Sequence, residues 1–344
     1  MLRPLIPLAL ALAASAQTPA LLAQTPASAQ TPAPQKPFTP NAQLNLPARV
    51  GYDAFVIGTK EKLEIGGHRE LTITSAELAL TFPNRAENVI ATAAEKLLII
   101  RGSLRNAEKT SNINLGPSAV VGLRLAQRYT GTGKFAFVLH YDPVTLNHVR
   151  HNLKGGQSAS FVGVWRIPAD FTDFRLGFTS DTPKYVAWYD FTSTLTRLKS
   201  IHAAPGGLTT LPSAQVPANT TFSLDGLTIQ PGPLTRPARI AGAATDLSKP
   251  FYVVNLNVTN SLLLPVRWGW QYINAELIAA DGSATKFYPN IINQSNDTPW
   301  SGDLDPGATA TSQLLFYPAT PITPRALRLT ILATGRSVEL SLAR

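Results

Sequence analysis

Short apolar segments alternate with turn-forming segments from residue 50 to the end of the chain. Several of the apolar segments alternate buried-type and polar positions with a period of two, which is typical of a strand with one buried face. The clearest are residues 70–75, 96–101, 134–140 and 251–258. Glycine turns separate them, among them residues 66–67, 130–133, 155–156, 281–282 and 306–307. The pattern predicts an all-β protein built of β-sandwiches.

Three landmarks occur twice, in the same order, along this region. They are a strand ending in asparagine, a glycine turn leading into a strand, and a later strand with an Arg-Leu pair. The two copies carry them at Asn106 and Asn260, at Gly156 and Gly307, and at Arg175 and Arg328. The two copies are offset by 154 positions at the asparagine, 151 at the glycine and 153 at the arginine, as in an internal repeat. We therefore predict two copies of one domain, residues 50–203 and 204–344, with a hinge at residues 203–213.

In the second copy, this order of landmarks resembles the telokin-like, immunoglobulin-like domain of uncharacterised exported bacterial proteins. The matching positions are Asn260, Asp281-Gly282, Leu304, Pro306-Gly307, Phe316, Pro318 and Leu327 to Leu329. The first copy departs from the pattern, because Lys154 and Gly155 precede Gly156 where the family has Pro-Gly. The resemblance implies two tandem immunoglobulin-like β-sandwich domains in the cell envelope, usually without catalysis. It implies no shared active-site residue.

The N-terminus predicts export. Arg3 precedes an apolar stretch at residues 5–14, and Ala14-Ser15-Ala16 forms a small-residue cleavage motif, so residues 1–16 are predicted to be a signal peptide. A second motif at residues 27–29 leaves the cleavage point open. Residues 17–48 are rich in Thr, Pro, Ala and Gln, which predicts a disordered, semi-rigid spacer. No later segment approaches the roughly 18 apolar residues of a spanning helix. We therefore expect the mature chain to lack a transmembrane segment. We expect it to lie in the periplasm or at the cell envelope or surface, where it would be peripherally associated.

Composition narrows the chemistry. The chain has no cysteine, which excludes disulfides, thiolate metal sites, cysteine nucleophiles and a cysteine-linked lipid anchor. Its net charge is +9, spread without a run of Lys or Arg. That distribution favours mild attraction to anionic envelope surfaces over nucleic-acid binding.

One histidine cluster could carry chemistry. His140, His148 and His151 fall within a short segment that also contains Asp142, and His68 or His202 could complete a site there. Neutral imidazoles with a carboxylate suit copper or zinc. This predicts, as an alternative function, a copper-dependent superoxide dismutase like the copper-only enzymes, although their H-x-H signature is missing. On one extended strand, His148 and His151 would face opposite sides, so a turn or bulge is required. The other interpretation, histidines on a surface loop, leaves the protein without a cofactor.

An aromatic segment offers a binding surface. Trp268, Trp270 and Tyr272 alternate with other residues, which predicts that their rings share one face of a strand. Facing inward they would be core, as Ig-like sandwiches often bury a tryptophan. Facing outward they would form a stacking platform for a sugar, a protein or an apolar ligand.

The sequence thus predicts an exported, non-catalytic protein that binds an envelope protein or a surface polymer. The copper enzyme is the alternative. Edge strands of sandwiches can pair between copies, which predicts a homo-oligomer as a further alternative.

Overall fold

The computed structural model describes residues 52–57, 59–60, 62–64, 69–85, 87–115, 122–125, 137–146, 151–179, 185–237, 250–288, 292–293, 298–300 and 302–342. Within these residues the chain is all-β, as predicted, and the ordered elements are strands and turns. No helix in the described part of the chain is long and apolar enough to cross a membrane.

The N-terminal half, up to residue 203, contains the strands β1 to β13. They are β1 (Tyr52–Ile57), β2 (Lys62–Glu64), β3 (Arg69–Ala79), β4 (Thr81–Phe82), β5 (Val89–Ile90), β6 (Glu95–Asn106), β7 (Ile113–Leu115), β8 (Gly122–Leu125), β9 (Phe137–Tyr141), β10 (His151–Leu153), β11 (Ser158–Pro168), β12 (Arg175–Thr179) and β13 (Tyr185–Asp190). The two main sheets have the orders β1-β13-β12-β8 and β2-β3-β6-β11-β9.

The C-terminal half, from residue 204, contains β14 to β26. They are β14 (Ser213–Val216), β15 (Phe222–Leu224), β16 (Leu227–Thr235), β17 (Tyr252–Asn260), β18 (Val266–Trp268), β19 (Ile273–Ala279), β20 (Ala284–Lys286), β21 (Ile292–Asn293), β22 (Thr298–Pro299), β23 (Gly302–Leu304), β24 (Thr309–Phe316), β25 (Pro324–Ile331) and β26 (Ser337–Ser341). The main sheets have the orders β14-β26-β25-β19-β20 and β15-β16-β17-β24-β21-β22.

The two halves share one strand arrangement. In each, the first strand pairs in parallel with the last, β1 with β13 and β14 with β26. The order β3-β6-β11-β9 in one half corresponds to β16-β17-β24-β21 in the other. The remaining main-sheet pairings are antiparallel, as in sandwiches with one face of each sheet buried.

Each half has its own apolar core between its two sheets. In the N-terminal half, Trp165 of β11 packs edge-on against Phe178 of β12, and the Tyr189 hydroxyl donates across the sandwich to the Leu71 carbonyl at 3.0 Å. In the C-terminal half, Trp268 is buried among the strands, and its indole N–H donates to Ser312 Oγ at 2.9 Å. Because burial of aliphatic and aromatic area is the main favourable term in folding, these cores hold the chain together without disulfides.

The asparagine landmark makes the same contacts in both halves. The side-chain amide of Asn106 donates to the carbonyls of Ser111 and Leu153, and that of Asn260 donates to the carbonyls of Leu264 and Leu304. Both asparagines are fully buried. Each amide thus satisfies backbone groups at a strand end that would otherwise be buried without partners.

The glycine of the second landmark hydrogen-bonds to the backbone of the same asparagine. The N–H of Gly156 donates to the Asn106 carbonyl and that of Gly307 donates to the Asn260 carbonyl, both at 2.8 Å. Gly156 and Gly307 have φ angles of +78° and +75°, a conformation that favours glycine. The Lys-Gly-Gly turn of the first copy therefore has the same hydrogen bond and the same glycine conformation as the Pro-Gly turn of the second, despite the different sequence.

Candidate functional site

The structure places the backbones of His140 and His151 in different strands. His140 lies in β9, opposite Gly163 of β11, whereas His151 begins β10, opposite Leu115 of β7. These strands belong to different sheets. The side chains of His140 and His151, and the whole of His148 and His68, lie outside the described residues. The predicted metal site therefore stays a prediction.

Asp142 lies in the turn that follows β9. Its Oδ1 accepts hydrogen bonds from the N–H groups of Val144 at 2.9 Å and Thr145 at 2.7 Å. This is the local bonding expected of an aspartate that opens a turn. No group of three or more metal-binding side chains occurs among the residues that the structure describes.

The aromatic segment does not form one strand face, so that prediction was wrong. β18 ends at Trp268, and the chain then turns, closed by a hydrogen bond of 2.9 Å from the Tyr272 N–H to the Gly269 carbonyl. Trp268 is core, Trp270 is 50% exposed, and Tyr272 is partly buried against the core of the C-terminal half. The alternation of aromatics was misleading because the turn at Gly269 interrupts the period of two.

A buried ion pair, Arg336 with Asp225, lies where the two halves meet. The described residues of both halves belong to one compact unit. The guanidinium of Arg336 donates to Asp225 Oδ1 at 2.6 Å and to the carbonyls of Ala91 at 3.0 Å and Thr92 at 2.9 Å. Both side chains of the pair are fully inaccessible to solvent. Thr334 donates its hydroxyl to the other carboxylate oxygen of Asp225. Arg336 thus connects two backbone carbonyls of the N-terminal half to a hairpin of the C-terminal half.

The segment predicted as a hinge, residues 203–213, is hydrogen-bonded to both halves. The buried ammonium of Lys96 donates to the carbonyls of Ala169, Phe171 and, within this segment, Leu208. Burial lowers the pKa of Lys96 to about 8, so the ammonium stays protonated at neutral pH. Three N–H donors meet three carbonyls, which offsets the cost of burying the charge. At the far end, the N–H of Ser337 donates to the Pro212 carbonyl at 2.9 Å.

Beside the ion pair lies a cleft of about 620 Å³ between the halves. One wall is formed by residues 77–81 and 196–202, and the other by the hairpin residues 221–223, 225 and 226. That volume is in the range of ligand pockets, roughly 300–1,000 Å³. Arg336 with its partners Asp225, Ala91 and Thr92, called the joint below, links the hairpin wall to the N-terminal half.

His202 lines the cleft close to the charges of Arg336 and Asp225. It is buried, and its Nδ1 lies 3.1 Å from the Leu211 carbonyl, so this nitrogen carries the proton and Nε2 is the acceptor. Nε2 has no hydrogen-bond partner in the described part of the chain. Burial, and then the nearby Arg336, lower the pKa of His202 to about 4, so the imidazole is neutral at pH 7.

No pattern in the sequence predicted a role for Arg336, Asp225 or Lys96, and His202 was predicted only as a further metal ligand. One usable signal existed, because Asp225-Gly226 is a two-residue hairpin sequence. The pairing of Asp225 with Arg336 had no local signal, since the two residues lie far apart in the chain.

A scan against protein-family models finds no match to this chain, and a search of curated proteins also finds none. Among solved structures, the chain is similar to an uncharacterized beta-sandwich protein from Clostridium difficile 630. The sequences are 17% identical, the TM-score is 0.29, and the match covers 40% of this chain and 94% of that chain. The β-sandwich architecture given above follows from the paired sheets and their cores.

Proposed function

We propose that this protein is an exported, non-catalytic component of the cell envelope that binds another envelope protein or a surface polymer. In this proposal the two halves are tandem immunoglobulin-like domains of the telokin-like type. The signal peptide and the proline-rich spacer at residues 1–48 would place them at the periplasm or cell surface.

The observation that carries the proposal is the fixed joint around Arg336. A buried arginine bound to one carboxylate and two backbone carbonyls links the two halves. Pre-organised walls reduce the ordering cost of binding, which favours a recognition surface that spans both domains. Trp270, which is 50% exposed in the turn after β18, adds an aromatic contact of the kind enriched at interfaces.

The binding function is tested with the purified mature protein immobilised as bait. We expect it to retain one envelope component reproducibly from membrane and wall extracts and not from the cytoplasmic fraction. Binding of the purified component is then measured by calorimetry. Retention of nothing beyond what an unrelated β-sandwich bait retains would refute the proposal.

The location is tested separately. We expect the mature chain in the envelope fraction, with an N-terminus at Gln17 or Gln30 after cleavage. A full-length chain that begins at Met1 in the cytoplasmic fraction would contradict export.

The copper enzyme remains an alternative prediction on His140, His148, His151 and Asp142. Metal analysis after reconstitution with copper or zinc tests it, and His148→Ala should then abolish any bound metal. Substoichiometric metal in the wild-type protein would remove this alternative.

A further inference from the structure

The cleft lies along a free sheet edge. β15 is the outermost strand of its sheet and pairs, among the described strands, with β16 alone. Phe222 and Ser223 of β15, and Thr221 just before it, line the cleft. An edge strand offers unpaired backbone N–H and C=O groups to any chain that approaches it.

The register shows which backbone groups are free. The turn between β15 and β16 has two residues, Asp225 and Gly226, with φ angles of +51° and +83°. The flanking residues Leu224 and Leu227 therefore form a hydrogen-bonded pair. Pairs alternate along an antiparallel ladder, so Ser223, opposite Thr228, turns its N–H and C=O away from β16 and into the cleft.

The charge of the cleft is positive. Its two acids are already neutralised, because Glu77 is paired with Arg101 and Asp225 with Arg336. Arg197 and Lys199 also line the cleft, and neither has an acidic partner among the described residues. Lys199 is exposed and free to reach a ligand. An anionic occupant is therefore favoured.

We propose that the cleft binds an extended acidic peptide segment of a partner protein, which adds as a strand to β15 and places its carboxylates beside Arg197 and Lys199. Main-chain hydrogen bonds from Ser223 give affinity in this mode, and the flanking charges give specificity. The inference rests on the proposed binding function and names the class of partner.

The test uses the full mature chain and fluorescein-labelled peptides of alternating valine and aspartate. A lysine version of the peptide and a version with N-methylated backbone serve as probes of charge and of strand pairing. Fluorescence anisotropy should show binding of the acidic peptide at least about tenfold tighter than binding of either other peptide.

Variants of the edge separate strand addition from charge attraction. Ser223→Pro removes the outward N–H while sparing the β15–β16 ladder, since proline is tolerated at outward positions of edge strands. We expect it to lose about tenfold or more in affinity, whereas Ser223→Ala stays within about twofold of wild type. Ala284→Pro is the matched control, because Ala284 is exposed on β20, an edge strand of the other sheet. Lys199→Glu should weaken the acidic peptide and strengthen the lysine peptide.

Three results would overturn the inference. They are no binding by any peptide of the panel, equal binding by Ser223→Pro in a folded state verified by circular dichroism, and indifference to N-methylation. An anionic polysaccharide that binds wild type and Ser223→Pro equally, and displaces the peptide, would also identify a charge site instead of strand addition. An envelope component retained equally by wild type and Ser223→Pro would leave the proposed function standing and remove only this site.

Discussion

Replacing Arg336 with methionine should damage the protein more than any surface substitution. Methionine keeps much of the apolar volume but removes the guanidinium. The Asp225 carboxylate then stays buried with the hydroxyl of Thr334 as its remaining side-chain donor. The carbonyls of Ala91 and Thr92 lose their arginine donor at the same time.

The size of the effect follows from those contacts. Removing one partner of a buried ion pair costs about 3–5 kcal/mol, because it leaves an uncompensated charge. The Ala91 carbonyl loses its donor, which adds about 1 kcal/mol, whereas the Thr92 carbonyl still accepts from the Glu95 N–H. Since these losses overlap, we expect a loss of about 4–6 kcal/mol in the free energy of unfolding. That is a large share of the roughly 5–15 kcal/mol typical of a folded domain.

Urea unfolding followed by tryptophan fluorescence measures this loss, since Trp165 and Trp268 are each buried in the core of one half. Arg328→Met is the matched control. Arg328 also pairs with two glutamates, but its side chain is 40% exposed, so its loss should stay below about 1 kcal/mol.

A double-variant cycle isolates the ion pair. Asp225→Asn removes the charge, and asparagine tolerates the φ angle of +51° at this position. With Arg336→Met it should cost about 2 kcal/mol less than the sum of the single variants, because no unpaired charge remains. If Arg336→Met destabilised the chain no more than Arg328→Met does, the joint would not be the structural connection inferred here.

Other predictions concern the remaining buried polar groups. Lys96→Met should cost about 2–3 kcal/mol, because the carbonyls of Phe171 and Leu208 lose their ammonium donor while that of Ala169 keeps the Thr210 N–H. It should also speed limited proteolysis within residues 203–213, and unchanged cleavage would contradict the anchoring. Asn260→Ala and Asn106→Ala should each cost about 2–3 kcal/mol and should add in the double variant, as distant sites do, by urea titration. For His202, the folded pKa near 4 lies below the ordinary value of 6.5, so the unfolded chain takes up the proton first as pH falls. Stability should be full above pH 6.5 and should fall by up to about 3 kcal/mol between there and pH 4. His202→Gln should flatten that slope, and an unchanged slope would assign it to other groups.

Much of the fold was predictable because its signals are local. The period-two segments predicted strands, and both Asp281-Gly282 and Pro306-Gly307 occur as turns with glycine φ angles of +86° and +75°. The repeat predicted a strand ending in asparagine in each copy, and Asn106 and Asn260 end β6 and β17. Each of these features depends on a few consecutive residues, which a sequence displays directly.

The candidate site was hidden because its residues meet only after folding. Asp225 extends from a hairpin turn and Arg336 from the loop between β25 and β26, and either could equally have been a solvated surface charge. Lys96, at the start of an apolar strand, gives no sign that three carbonyls surround its ammonium. Trp268 and Trp270 show the opposite kind of error, a local pattern that misled. Their alternation suited one strand, but the chain turns at Gly269.

The parallel pairing of first and last strands in the C-terminal half has a mechanical consequence. β14 and β26 run side by side in the same direction, with four residue pairs from Ser213 and Ser337 to Val216 and Leu340. Tension between the start of β14 and the end of β26 would therefore act along the strands and load their hydrogen bonds in shear, so that they must break together. Tension across an antiparallel hairpin opens such bonds one after another. The strand arrangement is thus suited to resist stretching.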